Sequence, residues 1–228
     1  MEYKIMICAI HQPNFFPWLG YFDKIKRSDK FVVLDDVQYQ KKGGTWSNRV
    51  AISIQGKSQY ITAPINRPSG LWNINETTFQ NINWRDKIIK TLQANYSKAS
   101  YFKENRDFIF ELINYNENNV SKYNLNAIVE ICKYLNIEIE KKLVISSDYN
   151  FLSSSNELLI DLTKATGCDT YMAGGGASDY QDISLFEKEG LNFIYQDFEH
   201  PLYEQSNTKE FIKGLSIIDY IFNTNESF

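Results

Sequence analysis

Histidine is the side chain best suited to move protons near neutral pH, and this chain has only two, His11 and His200. His11 directly follows the apolar run 5–10, and His200 lies five residues beyond the apolar run 193–195. Both runs are predicted strands, so each histidine is expected near a strand end, where it could act as a general base. The alternative for each is a structural histidine that satisfies neighbouring polar groups.

Polar residues surround His11 within the segment His-Gln-Pro-Asn-Phe-Phe-Pro-Trp. A short helix is predicted to begin at Pro17, because proline suits the first helical position. A helix N-terminus at a strand end offers free N–H groups to an anion. Asn14 is therefore predicted to bind substrate, and the predicted substrate site also includes Gln12 and Asp23 of the same part of the chain. The alternative for Asn14 is a turn role.

The second predicted strand, 31–34, ends in Asp35 and Asp36. Asp36 is the candidate here for a general base, a sugar-hydroxyl acceptor or a metal ligand, and capping is the alternative. The following loop is expected to add Trp46, Asn48 and Arg49 to the substrate site. Arg49 could bind a phosphate or carboxylate with its planar fork, although a surface ion pair would use the same side chain.

A run of glycines follows the predicted strand 170–173. Its backbone could approach a ligand closely and offer amides to an oxyanion, so the predicted substrate-binding residues here are Gly174, Gly175, Gly176, Asp179 and Tyr180. The run matches neither a Walker loop nor the spaced dinucleotide-binding pattern. A tight strand-to-helix turn is the alternative.

The sequence contains no metal-site motif and no nucleophile-elbow motif, and no metal site is expected. Its three cysteines, Cys8, Cys132 and Cys168, are scattered through the chain. Cys8 and Cys132 fall in apolar patterns. The cysteines are predicted to be reduced core thiols, as in cytosolic proteins, and cysteine catalysis is not expected.

Strands alternate with helices at both ends of the chain, which predicts an α/β fold with a mostly parallel sheet flanked by helices. Segments 50–54 and 60–65 predict an antiparallel hairpin, and apolar stripes at helical spacing predict an inserted helical region at about 83–137. The loops after Ile10, Leu34, Ala173 and Tyr195 are expected at one edge of the sheet. Ser216 and Asp219 are predicted to form a helix capping box. The whole chain, 1–228, is predicted to be one domain.

The composition and charge of the chain indicate which classes of partner to expect. The formal net charge is −4 and no basic run exceeds two residues, so nucleic acid is not expected as a partner. No apolar stretch approaches the length of a membrane helix, and the N-terminus lacks the pattern of a signal peptide, which predicts a cytoplasmic protein without membrane insertion. Aromatic residues make up 15%, a share that suits sugar or nucleotide pockets.

The run His-Gln-Pro-Asn-Phe-Phe-Pro-Trp-Leu-Gly-Tyr-Phe-Asp-Lys-Ile, residues 11–25, resembles the opening signature of the WbqC-like proteins. Later segments that resemble the family in order are 36–38, 46–49, 171–176, 198–201 and 215–219. The family positions that the chain matches are His11, Gln12, Asn14, Asp23, Asp36, Arg49, Gly175, Asp179 and His200. Phe15 stands where the family often has Tyr.

The resemblance implies a bacterial protein of surface-polysaccharide or O-antigen biosynthesis, and a transferase that places glycine or another acyl group on an amino sugar. The partners expected on this basis are a nucleotide-linked amino sugar and a thioester of coenzyme A or of an acyl carrier protein. His11 or His200 would be the base, and Asp36 is the third catalytic candidate. Two alternatives stay open: a nucleotidyl-transfer or ligase enzyme with a phosphate site at the first strand, and a non-catalytic sugar-nucleotide-binding protein.

Overall fold

The structure, a computed structural model, describes residues 5–41, 46–175 and 181–228, and its contacts group into two compact units. The sheet unit consists of the N-terminal residues to Gln12, with Tyr21–Asp36 and Cys132–Glu199. The helical unit consists of Pro13–Gly20, Val37–Ile131 and His200–Phe228. Neither unit is a continuous segment. The prediction of one domain over 1–228 stays a prediction.

The described residues contain strands and helices in the following order. The strands are β1 (Ile7–His11), β2 (Lys30–Val33), β3 (Arg49–Ile54), β4 (Lys57–Thr62), β5 (Leu143–Ile145), β6 (Thr170–Ala173) and β7 (Asn192–Tyr195). The helices are α1 (Leu19–Arg27), α2 (Trp84–Tyr96), α3 (Phe102–Asn114), α4 (Val120–Tyr134), α5 (Ser155–Ala165), α6 (Ile183–Lys188) and α7 (Ile217–Asn223). Short 3-10 turns occupy Ile74–Glu76, Ile139–Lys141 and Ser146–Asp148.

The sheet unit is built on five parallel strands in the order β5-β2-β1-β6-β7. β1 lies at the centre, and its residues Cys8 to Ile10 are buried, as a strand covered on both faces requires. Because all five strands are parallel, their carboxyl ends meet at one edge. The prediction for the loops after Ile10, Leu34, Ala173 and Tyr195 is confirmed.

Helices flank this sheet, which confirms the predicted α/β class. α5 packs against β1 and β6, and α6 packs against β7. α1 begins at Leu19, two residues later than the start predicted at Pro17, and buries Leu19, Phe22 and Ile25 as its periodicity predicts. The three cysteines are free and buried.

The helical unit contains the β3–β4 hairpin and the helices α2 and α3, with most of α4. The hairpin turns at Gln55 and Gly56, which both have positive φ angles, 51° and 72°. Two such residues match the right-handed twist of the paired strands. α2 buries a single stripe, Trp84, Ile88, Leu92 and Tyr96. The predicted hairpin and helical insertion are therefore present. None of the described helices is long and apolar enough to cross a membrane.

Only half of the predicted capping box on α7 forms. The Ser216 hydroxyl accepts a hydrogen bond from the Ile218 amide, as an N-cap does. The Asp219 carboxylate instead accepts hydrogen bonds from Tyr96, Tyr203 and Gln205 at 2.8–2.9 Å. Asp219 is fully buried, and a buried carboxylate without hydrogen-bond donors would be more costly than the loss of a second cap on the helix.

Candidate functional site

The strand order indicates where a ligand would bind in the sheet unit. Starting from the boundary between β1 and β6, the strands follow in chain order outwards on both sides. Open parallel sheets bind ligands at such a switch point, beyond the carboxyl ends of the two strands. β1 ends at His11, and β6 pairs with it in a register that aligns Ala9 with Met172. Two positions further along, His11 and Gly174 stand at the switch point.

His11 is held in one tautomer. Its Nδ1 lies 3.1 Å from the Gln12 carbonyl oxygen, so Nδ1 carries the proton and donates. The ring packs edge-on against Tyr21 with centroids 4.8 Å apart, and the Tyr21 hydroxyl donates to the same Gln12 carbonyl at 3.0 Å. In the neutral ring Nε2 is therefore an acceptor, and it makes no hydrogen bond to any residue in the described part of the chain.

The charge state of His11 follows from its surroundings. Burial, and secondarily the nearby Lys24 ammonium, lower the pKa of His11 from 6.5 to about 3, against a smaller opposing effect of the Gln12 carbonyl. The imidazole is thus neutral throughout the physiological range. A base works best when its pKa lies near the working pH, so a bound anion that raises the pKa would strengthen His11 as a base.

Lys24 is a site residue that the sequence did not single out. Its side chain is 3% exposed, and its ammonium donates to the Ile10 carbonyl at 3.0 Å, at the end of β1. Burial lowers the pKa of Lys24 from 10.5 to about 8. No carboxylate among the described residues pairs with it. A buried cation without a counterion is costly, which makes Lys24 a candidate for contact with an anionic ligand.

The two aspartates after β2 have different roles. Asp35 is buried, and its carboxylate accepts from the Ser146 hydroxyl and from the Ser147 amide and hydroxyl at 3.1–3.2 Å. Asp35 therefore fixes the turn after β5. Asp36, the predicted catalytic residue, is half-buried and accepts from the Ser146 hydroxyl at 2.5 Å. The serines carry no sequence pattern that would have identified them.

Asp23 and Gln12 also lie in the sheet unit. The Asp23 carboxylate accepts from the Gln196 amide at 2.8 Å and lies 3.5 Å from the Arg27 guanidinium, which in turn donates to the Gln196 carbonyl. These bonds connect α1 with the residue that follows β7. The Gln12 side chain makes no hydrogen bond to a described residue and is half-buried. Of the two, Gln12 is the side chain that can still accept a ligand.

The glycine run is described only in part, since Gly176, Asp179 and Tyr180 lie outside the described residues. A Cβ atom added to Gly174 or Gly175 would meet no described residue within 4 Å. Neither has a positive φ angle, so the backbone at these two positions does not require glycine. With respect to the described residues, the end of β6 is therefore open to the close approach of a ligand to the backbone.

The helical unit holds the other predicted residues. Asn48 is buried and structural: it accepts from the Tyr39 hydroxyl at 2.7 Å and donates to the Ala63 carbonyl at 2.8 Å. Trp46 is exposed and Arg49 half-buried. The Asn14 amide oxygen is buried and has no hydrogen-bond partner in the described part of the chain. Asn124, which the sequence did not indicate, donates to the carbonyls of Pro13 and Ser47.

His200 lies in the helical unit, among aromatic side chains. Its Nδ1 is 2.9 Å from the Pro201 carbonyl, so the tautomer matches that of His11. The ring stacks with Trp18 at 6.3 Å and meets Phe211 edge-on at 5.3 Å. Within the described ranges no group of three or more histidine, cysteine or acidic side chains is arranged to hold a metal ion.

Comparisons with known proteins agree with the sequence resemblance. The model of the WbqC-like protein family matches residues 12–227. An uncharacterized protein of Mycobacterium tuberculosis is 31% identical over 218 residues, covering 94% of this chain and 92% of the relative. No solved structure matches. The match extends from the residue after His11 almost to the C-terminus, and the chain belongs to the WbqC-like protein family.

Proposed function

We propose that this protein is a transferase of bacterial surface-polysaccharide biosynthesis that moves an acyl or aminoacyl group, such as glycyl, onto a nucleotide-linked amino sugar. The observation that carries the proposal is His11 at the switch point of the sheet: its Nδ1 donates to the Gln12 carbonyl, and its Nε2 accepts no hydrogen bond from a described residue. A neutral imidazole with a fixed tautomer is ready to accept a proton there.

The proposed reaction uses a thioester of coenzyme A or of an acyl carrier protein as donor. The amine nitrogen of the sugar attacks the thioester carbonyl carbon and forms the amide bond. Its proton passes to Nε2 of His11. The carbon–sulfur bond then breaks, and the leaving thiolate takes that proton. Amides at Gly174 and Gly175 would donate to the oxyanion that forms in between.

Lys24 supports this assignment through its charge. An ammonium at the end of β1 without a carboxylate partner favours an anion at the same edge of the sheet, and the substrate's diphosphate has the matching charge. A bound anion near His11 would also raise the pKa of its imidazole, so substrate binding would make His11 a stronger base.

The test is an assay with two readouts on purified protein. It is incubated with a panel of nucleotide-linked amino sugars and acetyl or glycyl thioesters, and both thiol release and the mass of the sugar nucleotide are followed. His11→Ala and His11→Asn should remain folded and lose about 10²- to 10⁴-fold in rate, because neither side chain shuttles a proton near neutral pH. Full activity of folded His11→Asn would remove His11 from the proposed role.

A nucleotidyl-transfer or ligase reaction is the second candidate, and the strand order favours it. A parallel sheet with a switch point beside its first strand, where a histidine precedes a helix, is a suitable phosphate site. Pyrophosphate release from ATP or CTP in the presence of sugar or amino acid, without thiol release, would favour this candidate. A non-catalytic binding protein would bind nucleotide sugars equally well with His11→Ala.

A further inference from the structure

The β3–β4 hairpin places Arg49 against Tyr60. Ala51 pairs with Tyr60 in the antiparallel register, so Arg49, two residues before Ala51, is the diagonal neighbour of Tyr60 on the same face. The Arg49 guanidinium carbon lies 4.7 Å from the centre of the Tyr60 ring. This is a cation–π arrangement, and it fixes the plane of the guanidinium on an exposed surface.

The guanidinium donors of Arg49 have no hydrogen-bond acceptor among the described residues. Its Nε is buried without a partner, and the side chain forms no hydrogen bond or ion pair with any residue in the described ranges. Arg85 provides the contrast in the same unit. It stacks on Trp84 at 4.4 Å, but it donates to three backbone carbonyls, those of Ile113, Tyr115 and Glu117.

The comparison indicates the role of each arginine. Arg85 is a structural arginine, because its donors form hydrogen bonds to backbone carbonyls of the same unit. Arg49 makes no such bond to a described residue, so the terminal nitrogens of its half-buried guanidinium are free to bind a ligand. Leaving such donors unpaired is costly, and a planar fork of this kind binds carboxylate or phosphate in bidentate fashion.

Tyr60, the ring against the guanidinium, is one of a pair of exposed aromatic side chains. Trp46 and Tyr60 are 43% and 53% exposed, and their ring centroids are 5.9 Å apart with planes inclined at 50°. Because the two ring planes are inclined, they form a V-shaped apolar surface and cannot stack on both faces of a flat nucleobase. A pyranose ring has apolar faces and hydroxyl edges, and an aromatic surface of this shape suits it.

A second observation comes from the loop that contacts Trp46. The Phe15 amide donates to the Trp46 carbonyl at 2.8 Å, so the loop of residues 13–15 lies beside this surface. Asn14 in that loop is 6% exposed, and its side-chain oxygen has no hydrogen-bond partner. The Asn124 amide nitrogen holds the same loop to Ser47, and its oxygen is also unpartnered. Both oxygens are buried, so these two side chains hold the loop beside Trp46 and do not themselves reach a ligand on the exposed surface.

We propose that Trp46, Arg49 and Tyr60 form a binding site for an anionic sugar, in which the guanidinium binds a phosphate or carboxylate and the two rings contact the sugar. The site lies within the helical unit. Its existence does not depend on the transfer reaction, because binding is measured without an acyl donor.

Intrinsic fluorescence gives a direct readout. Of the four tryptophans, Trp72 and Trp84 are buried, and Trp18 and Trp46 are partly exposed. The probes are glucose 1-phosphate and glucuronic acid, with glucose, inorganic phosphate and uridine monophosphate as comparisons. Both anionic sugars should change the fluorescence and bind more tightly than glucose or phosphate alone, and the tighter of the two identifies the anion. Trp46→Phe should abolish the change, whereas Trp18→Phe should keep it.

Arginine variants test the anion contact. Arg49→Met should weaken binding of the anionic sugars about 10- to 100-fold, the loss expected for a hydrogen bond to a charged group. Arg49→Lys should be intermediate because it keeps the charge and loses the fork. Arg67→Met, an exposed arginine of the same unit, is the matched control and should bind as the wild type does.

Three results would overturn the proposal. They are an absence of binding of both anionic sugars to the folded wild type, equal binding by folded Arg49→Met, and tighter binding of uridine monophosphate than of either sugar. Circular dichroism and thermal melts confirm that each variant is folded. If Arg49→Met fails to fold, the binding measured for Arg49→Lys, Trp46→Phe and Trp18→Phe tests the proposed sugar site instead.

Discussion

The His11 imidazole should make the protein sensitive to mild acid, and the magnitude follows from its surroundings. Burial and Lys24 lower the pKa of His11 from 6.5 to about 3 in the folded state. In the unfolded chain the imidazole titrates near 6.5. Above pH 6.5 both states are neutral, and the full stability is present. As the pH falls from 6.5 towards 3, only the unfolded state takes up the proton, and folding stability is lost.

One pKa unit corresponds to about 1.36 kcal/mol, so a difference of 3.5 units gives at most about 5 kcal/mol. This is an upper bound, because the half-buried ring keeps part of its solvent contact. The free energy of unfolding should therefore fall by up to about 1.4 kcal/mol per pH unit below pH 6 on account of this residue alone. Domains have about 5–15 kcal/mol in total, so the effect is measurable.

The assay is urea unfolding of the wild type and of His11→Asn at several pH values between 7.5 and 4.5. Asparagine keeps a donor for the Gln12 carbonyl but does not titrate, so the difference between the two proteins isolates His11 while the carboxylates cancel. His200→Asn serves as control and assigns the two imidazole signals in proton NMR spectra. Parallel stability curves, or a His11 signal that titrates near 6.5, would refute the reasoning.

Three further predictions concern the surrounding structure. Lys24→Met should raise the free energy of unfolding at pH 7 by up to about 3 kcal/mol in urea melts, because burial lowers the pKa of this lysine from 10.5 to about 8. The same variant should bind nucleotide sugars more weakly. Lys26→Met, on the exposed side of α1, is the control and should change neither stability nor binding. Asp219→Asn should lower the free energy of unfolding by about 2–3 kcal/mol in the same assay, because the donors of Tyr96, Tyr203 and Gln205 would then face an amide that carries a donor group itself. An unchanged free energy of unfolding would show that these hydrogen bonds are dispensable. Gly56→Ala should lower the melting temperature more than Gly70→Ala, because both have positive φ but only at Gly56 would a Cβ collide, with the Asn207 carbonyl; equal shifts would contradict this.

The backbone architecture could be predicted because it depends on local patterns. Parallel strands follow from short apolar runs separated by helices, and the stripe on α2 follows from a spacing of four residues. The position of His11 at the end of β1 follows from the same patterns. The strand order does not, because the pairing of β1 with both β2 and β6 is a long-range contact that no local signal encodes.

Side-chain roles were harder to predict for a physical reason. Lys24 has the sequence appearance of a solvent-facing residue, and its burial depends on how α1 packs beside the end of β1. Asn48 stands next to Arg49 in the same polar segment, yet it is consumed by Tyr39 and Ala63. Whether a polar side chain serves the fold or a ligand depends on which hydrogen bonds the tertiary structure satisfies, and the sequence does not show this.

The Lys24 ammonium is the feature of the sheet unit that favours an anionic ligand in our proposal. Asp23 is paired with the Arg27 guanidinium, whereas Asp35 and Asp36, which follow β2, accept hydrogen bonds from the uncharged groups of Ser146 and Ser147. Among the described residues, Lys24 donates only to the Ile10 carbonyl, and no carboxylate forms an ion pair with it. The proposed phosphate would therefore meet an unpaired cation at the end of β1, at the switch point of the sheet. The same cation disfavours a protonated His11, although less than burial does, so an anion that neutralises Lys24 would raise the pKa of the imidazole in part. Substrate binding and activation of the proposed base would then be two consequences of one electrostatic event.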